Sequence, residues 1–151
     1  MAFDVNGIPS DGPWFRAEGG TDVSPTMIRA REDILALLPA PALSTRVVVT
    51  WTCRNPLEVG LPSTIDYDEI KSFEDTLMAF VQEGAVLAFV VTTNGVVEYS
   101  FYTSGGEWFI ERLNEAFMDK PTVPIELAAE DDPDWTEYRS LMDAVGLGPA
   151  A

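Results

Sequence analysis

Between Thr45 and Thr52 the run TRVVVTWT is rich in β-branched residues, and its alternation sets Val47, Val49 and Trp51 on one face of a strand. The period then changes. Ile70, Phe73, Leu77, Phe80 and Val81 recur at three- and four-residue spacing and predict a helix over 67–83. Asp66-x-x-Glu69 reads as its capping box and Gly84 as its left-handed stop. Two β-rich runs, 86–92 and 96–103, flank Thr93-Asn94-Gly95, where Asn-Gly predicts a type I′ hairpin because both central residues need positive φ. In the second run Val97, Tyr99 and Phe101 share one face, and Glu98, Ser100 and Tyr102 the other. Phe109, Ile110, Leu113, Ala116 and Phe117 predict a helix over 105–118, opened by a second box, Ser104-x-x-Glu107, and closed by Pro121. A strand over 122–128 alternates Val123, Ile125 and Leu127, with Pro124 placing it at an edge or a strand start. Trp135, Tyr138, Leu141, Met142 and Val145 form a last helical stripe, with Asp132 as N-cap, Pro133 in the first turn and Gly146 as stop.

Glycines and prolines interrupt every period in residues 1–24, which read as an irregular arm docked by Trp14 and Phe15. A short strand over 25–31 and a helical turn over 32–38 follow, ended by Pro39-Ala40-Pro41. Strand, helix, hairpin, helix, strand over 45–128 predicts an α+β domain. Its expected form is a ferredoxin-like βαββαβ sandwich, a four-stranded antiparallel sheet with two helices on one face. The domain spans 25–145, with the N-terminal arm before it, an extra C-terminal helix at its end and a tail over 146–151. The other sheet face then needs a cover from the arm, from the C-terminal helix or from another chain.

Nine Lys and Arg against 25 Asp and Glu leave a net charge of −16 over 151 residues, with no histidine and one cysteine, Cys53. Such a surface repels phosphate, so neither nucleic acid nor an anionic membrane is an expected partner. The longest apolar run, residues 85–91, is far short of the roughly 20 that cross a bilayer. No secretory signal is visible near the start and the thiol is unpaired, so a cytoplasmic location is expected. Without imidazole, the commonest general base and metal ligand is missing.

Several motifs recur in a recognisable order: the strand ending in Trp51, Gly60-Leu61-Pro62, Phe73-Glu74-Asp75-x-Leu77, Asn94-Gly95 with Tyr99-x-Phe101-Tyr102, and Asp131-Asp132-Pro133-x-Trp135-x-x-Tyr138. Together, over roughly residues 14–141, they resemble the bacterial family known as domain of unknown function 695. That family is similar in layout to the regulator of ribonuclease E activity B, a small acidic protein that binds and inhibits a large enzyme. The resemblance implies the fold and points toward protein binding; it brings no catalytic residues.

Glu107, Glu111, Glu115 and Asp119 follow one another at four-residue spacing. Like charges so placed cost on the order of 0.2–0.5 kcal/mol per pair. The row is either a docking stripe for a basic partner or a solvated face relieved by Arg112 and Lys120. Tyr102 and Trp108 fall off the clearest apolar stripes and are candidate aromatic contacts beside it. Glu130-Asp131-Asp132-Pro133-Asp134 is rich in carboxylates but lacks the spacing of a calcium loop, and helix capping accounts for Asp132. Cys53 has no histidine to activate it and reads as a buried, inert thiol. The expectation is a non-enzymatic protein-interaction or regulatory domain with no cofactor and no metal, binding a protein partner with a basic surface. A homodimer built on the open sheet face, with or without a small ligand, is the second reading; a carboxylate-dependent, metal-assisted hydrolase is the third.

Overall fold

The computed structural model describes residues 4–81 and 84–146. In chain order it contains β1 (Asp4–Val5), β2 (Ile8–Pro9), β3 (Trp14–Gly20), β4 (Pro25–Arg31), a 3-10 turn (Ile34–Leu37), β5 (Thr45–Thr52) and α1 (Thr64–Val81). β6 (Ala85–Thr93), β7 (Val96–Thr103), α2 (Gly106–Phe117), β8 (Ile125–Asp131) and α3 (Thr136–Ala144) follow. β1 and β2 make a small hairpin, and the other strands form one six-stranded antiparallel sheet in the order β3-β4-β6-β7-β5-β8. The α+β class stands; the sheet has two strands more than the four expected.

The extra strands lie in and beside the segment read as an irregular arm. β3 pairs with β4 along its whole length, from Trp14↔Arg31 to Gly20↔Pro25, and β4 pairs with β6 from Met27↔Thr92 to Ala30↔Phe89. β6 is buried along its first six residues, and leaving its outer backbone row unpaired would expose an apolar edge. β4 removes that edge. The glycines that obscured the alternation lie at the strand's margins: Gly12 precedes it, and Gly20, at φ +73, turns the chain toward Ser24.

The hairpin forms as expected, with Asn94 at φ 49, Gly95 at φ 80 and Thr93 opposite Val96. Gly60 braces it: its carbonyl accepts the Gly95 amide at 2.7 Å, and a Cβ there would come within 3.0 Å of the Asn94 Cα. Helix starts differ from the sequence reading. α1 begins one turn earlier, and its capping box is Ser63 with Asp66, not Asp66 with Glu69. The Asp66 carboxylate accepts the Ser63 amide at 3.1 Å, while the Ser63 hydroxyl accepts the Asp66 amide at 3.3 Å. Glu69 instead pairs with Arg54 at 3.2 Å. Ser104 makes no cap either: α2 has Gly105 at its N-cap with no side-chain bond, and the Gly105 amide donates to the Thr103 hydroxyl at 3.2 Å. Gly84 has no positive φ; it is small because a Cβ would lie 2.7 Å from the Trp108 ring. The last two residues of the expected first helix, and most of the tail, lie outside the described residues.

Two apolar layers flank the sheet. On one side Val47, Val49, Trp51, Val97, Tyr99 and Phe101 pack against Ile70, Phe73, Leu77 and Val81 of α1 and Phe109 and Leu113 of α2. Each such side chain contributes about 1.5–3 kcal/mol on burial. On the other side Val5, Ile8, Ile34 and Leu43 pack with Val86, Phe89, Tyr102, Trp135, Tyr138 and Met142. The N-terminal hairpin, the 3-10 turn and α3 therefore supply the cover that the sequence left undecided. Further along this face Val48, Thr50, Val96 and Glu98 are half-buried.

Candidate functional site

α2 is amphipathic: Phe109 and Leu113 enter the core while Glu107, Glu111, Asn114 and Glu115 face solvent. The carboxylate row is present and outward. Arg112 reaches only Glu115, at 3.5 Å, and Lys120 makes no ion pair among the described residues. Asp119 is exposed but lies past Phe117, the last helical residue, so the helical repeat ends at Glu115.

The two aromatic candidates are placed differently from the row. Trp108 is half-buried, with its ring over Gly84 and against the helix-side core. Tyr102 is fully buried, a correction to its reading as a contact residue. The polar face of β7 turns inward at this end because α3 covers it. Tyr102 stacks on Trp135 at 3.8 Å with the rings 7° apart and donates to the Asp132 carboxylate at 2.7 Å. Asp132 also accepts the amides of Thr136 at 2.7 Å and Glu137 at 3.1 Å. It caps α3 from four residues before the helix, not from the N-cap itself. Trp135 occupies that position in the left-handed region at φ 56, anchored by its indole N–H to the Leu43 carbonyl at 3.1 Å. The Tyr138 hydroxyl donates to the Arg31 carbonyl. The Asp-Pro-x-Trp-x-x-Tyr motif is thus a bolt fastening α3 to the sheet.

Burial acts to raise the Asp132 pKa, but the Tyr102 hydroxyl and the Glu137 and Thr136 amides outweigh it and hold the carboxyl below its ordinary value. Asp66 is held low in the same way: burial opposes ionisation, and the amides of Asn55, Ser63 and Arg54 with the Ser63 hydroxyl overcome it. Burial pushes the Cys53 thiol up, reinforced by the nearby Asp66 and Glu69 charges. A thiol so placed is a poor nucleophile.

Sequence reasoning missed a cleft of about 320 Å³ between α1 and the β3–β4 end of the sheet. Arg16, Arg29, Lys71 and Glu74 line it over an apolar floor that includes Met27, Ile70, Val90 and Val97. Arg16 and Arg29 are direct cross-strand partners. Glu74 is held by the Tyr99 hydroxyl at 2.7 Å and pairs with Arg29, whose guanidinium also lies 5.7 Å from the Trp14 ring centre. The signal was the alternation Trp14, Arg16, Glu18 opposite Met27, Arg29, Arg31, hidden by the neighbouring glycines. A second cleft of about 240 Å³ lies between α1 and the C-terminal end of α2, lined by Trp51, Phe73, Phe117, Arg54 and Lys120 among others.

Among the described residues, no group of three or more Cys, Asp or Glu is placed to hold a metal ion, and no helix is long and apolar enough to cross a membrane. No curated protein and no solved structure matches the chain. A family model does match, over residues 13–142, from just before β3 into α3, and takes in the six-stranded sheet, the layer under α1 and α2 and the Asp-Pro-x-Trp-x-x-Tyr bolt. The chain belongs to that family, described as a family of unknown function, DUF695.

Proposed function

We propose that the chain is a non-enzymatic, cytoplasmic protein-interaction domain, inhibitor-like in mode, that docks a partner with a basic surface on the outer face of α2. The observation that carries this reading is the row Glu107, Glu111 and Glu115, answered by a cation at Glu115 alone among the described residues. Of the two cations that could have relieved it, Arg112 touches one member and Lys120 none. The remaining seven cations are engaged or placed elsewhere: Arg29 with Glu74, Arg31 with Asp33, Arg46 with Glu130, Arg54 with Glu69, Lys71 with Asp75, Arg139 with the Asp134 carbonyl, and Arg16 in the cleft between α1 and the sheet. A cationic partner would relieve this repulsion and be steered toward it by the field of the whole molecule.

The non-catalytic part of the reading is supported by the occupations of the buried titratable groups. Asp66 and Asp132 cap helices, Tyr99 and Tyr102 donate to carboxylates, and the Cys53 thiol is disfavoured as thiolate. The order β6-β7-β5-β8 supports a ferredoxin-like core extended by β3 and β4.

The test is a pull-down at low and high salt with the wild type, with Glu111→Lys/Glu115→Lys, and with Glu58→Lys/Asp143→Lys as a control of equal net charge. Glu58 and Asp143 are exposed and away from α2. A partner kept by the wild type and the control, but lost by the α2 variant and at high salt, is expected. A partner lost equally from both variants would reduce the effect to net charge and sink the docking role of α2.

A further inference from the structure

We propose that the cleft between α1 and the β3–β4 end of the sheet binds a small organic anion, an oxyanion carrying a compact apolar body. Three of the chain's nine cations, Arg16, Arg29 and Lys71, line this one cavity of a molecule with net charge −16. Only one carboxylate, Glu74, is among the lining residues, and it is already engaged by Arg29 and by the buried Tyr99 hydroxyl. Like charges directly opposite on neighbouring strands destabilise a sheet, and Arg16 and Arg29 are such a pair. Arg16 has no ion-pair partner among the described residues, and Lys71 has only Asp75 at 3.9 Å, one turn along its own exposed helix face.

Arg29 is fixed between Glu74 and the Trp14 ring, so its donors are oriented before anything binds. An oxyanion seated between Arg16, Arg29 and Lys71 would neutralise the surplus positive charge. The volume of about 320 Å³ is at the small end of ligand sites, and the floor of Met27, Ile70, Val90 and Val97 is apolar, with the Tyr67 and Thr92 side chains the other polar groups lining the cleft. The occupant therefore joins a charged head to an apolar body of modest size. Because the rest of the surface repels anions, affinity must come from these short-range contacts and not from steering.

The inference stands apart from the docking role of α2, since the residues of the cleft and of the carboxylate row do not overlap. The experiment is an NMR titration of the full chain with four probes. 3-Phenylpropionate and phenyl phosphate carry both parts, inorganic phosphate lacks the apolar body, and 3-phenylpropanol lacks the charge. Saturable shifts at Ile70, Val90 and Val97 are expected with at least one of the first two, and the tighter of them identifies the head group. Inorganic phosphate and the alcohol should bind at least about tenfold more weakly. Arg16→Gln/Lys71→Gln, whose side chains project to the surface, should keep the wild-type melting temperature and lose at least about tenfold in affinity. Binding that weakens as salt rises is an independent check on the wild type alone. The proposal fails if none of the probes gives saturable shifts up to about 10 mM, if the alcohol or inorganic phosphate binds as well as the anions with a ring, or if the double variant binds like the wild type.

Discussion

Arg31 is fully buried, and its charge is answered by a two-point contact with Asp33, at 2.9 Å in both bonds, and by the Pro9 carbonyl at 3.0 Å. Removing the partner of a buried charge costs far more than the pair itself contributes. Asp33→Ala is therefore expected to lower unfolding free energy by about 3–5 kcal/mol in urea titrations. Trp135 holds an unfavourable backbone conformation because stacking on Tyr102 and the bond to Leu43 outweigh the strain. Trp135→Phe keeps the strain and loses the bond, and should cost about 1–3 kcal/mol by the same measurement. Asp66 and Asp132 make the fold acid-sensitive in a defined direction. Both have folded-state pKa values below the ordinary 3.8, so their contribution is complete above that value and drains away as pH falls through the folded one. Acid titration should show stability falling from about pH 4 downward, with a shallower slope there for Asp132→Asn, which is also less stable at neutral pH.

At the scale of elements, glycines separate by cause. Gly84 is required by the Trp108 ring and not by its backbone angles, so Gly84→Ala should destabilise by about 1–3 kcal/mol through overpacking, read as a lower melting temperature. Elements with an undisturbed period were legible: β5 and β7 have the expected bounds, and the Asn94-Gly95 turn is where its chemistry places it. Capping was legible in kind but not in position, because acidic residues near helix starts are so numerous that spacing alone chose the wrong one. Asp66 fits a box as its first or its last member, and only the backbone path decides. β3 was illegible because four glycines and two prolines around Trp14 obscure the local signal, and its partner is the edge of β4, which itself pairs with the distant β6. The cationic cleft was hidden for the same reason: Arg16 and Lys71 are distant in sequence and meet through strand register and helix packing. The carboxylate row needed only helical spacing and was read in advance up to Glu115; Tyr102 was misplaced because the cover supplied by α3 leaves no mark on β7 itself.

Over the whole molecule, the acid excess is not evenly answered. Cations gather at the cleft, at ion pairs and inside the protein, and leave the outer face of α2 with three carboxylates against the single cation Arg112. The core tolerates this because the row touches no buried group, so Glu111→Lys/Glu115→Lys should melt at or slightly above the wild-type temperature. Docking on α2 is tested by carboxyl footprinting, in which exposed carboxylates are amidated with glycine ethyl ester in the presence and absence of the partner recovered by pull-down. Glu107, Glu111 and Glu115 are expected to lose label in the complex while Glu58 and Asp143 keep it. Equal labelling of α2 with and without partner, or protection confined to another face, would contradict docking there.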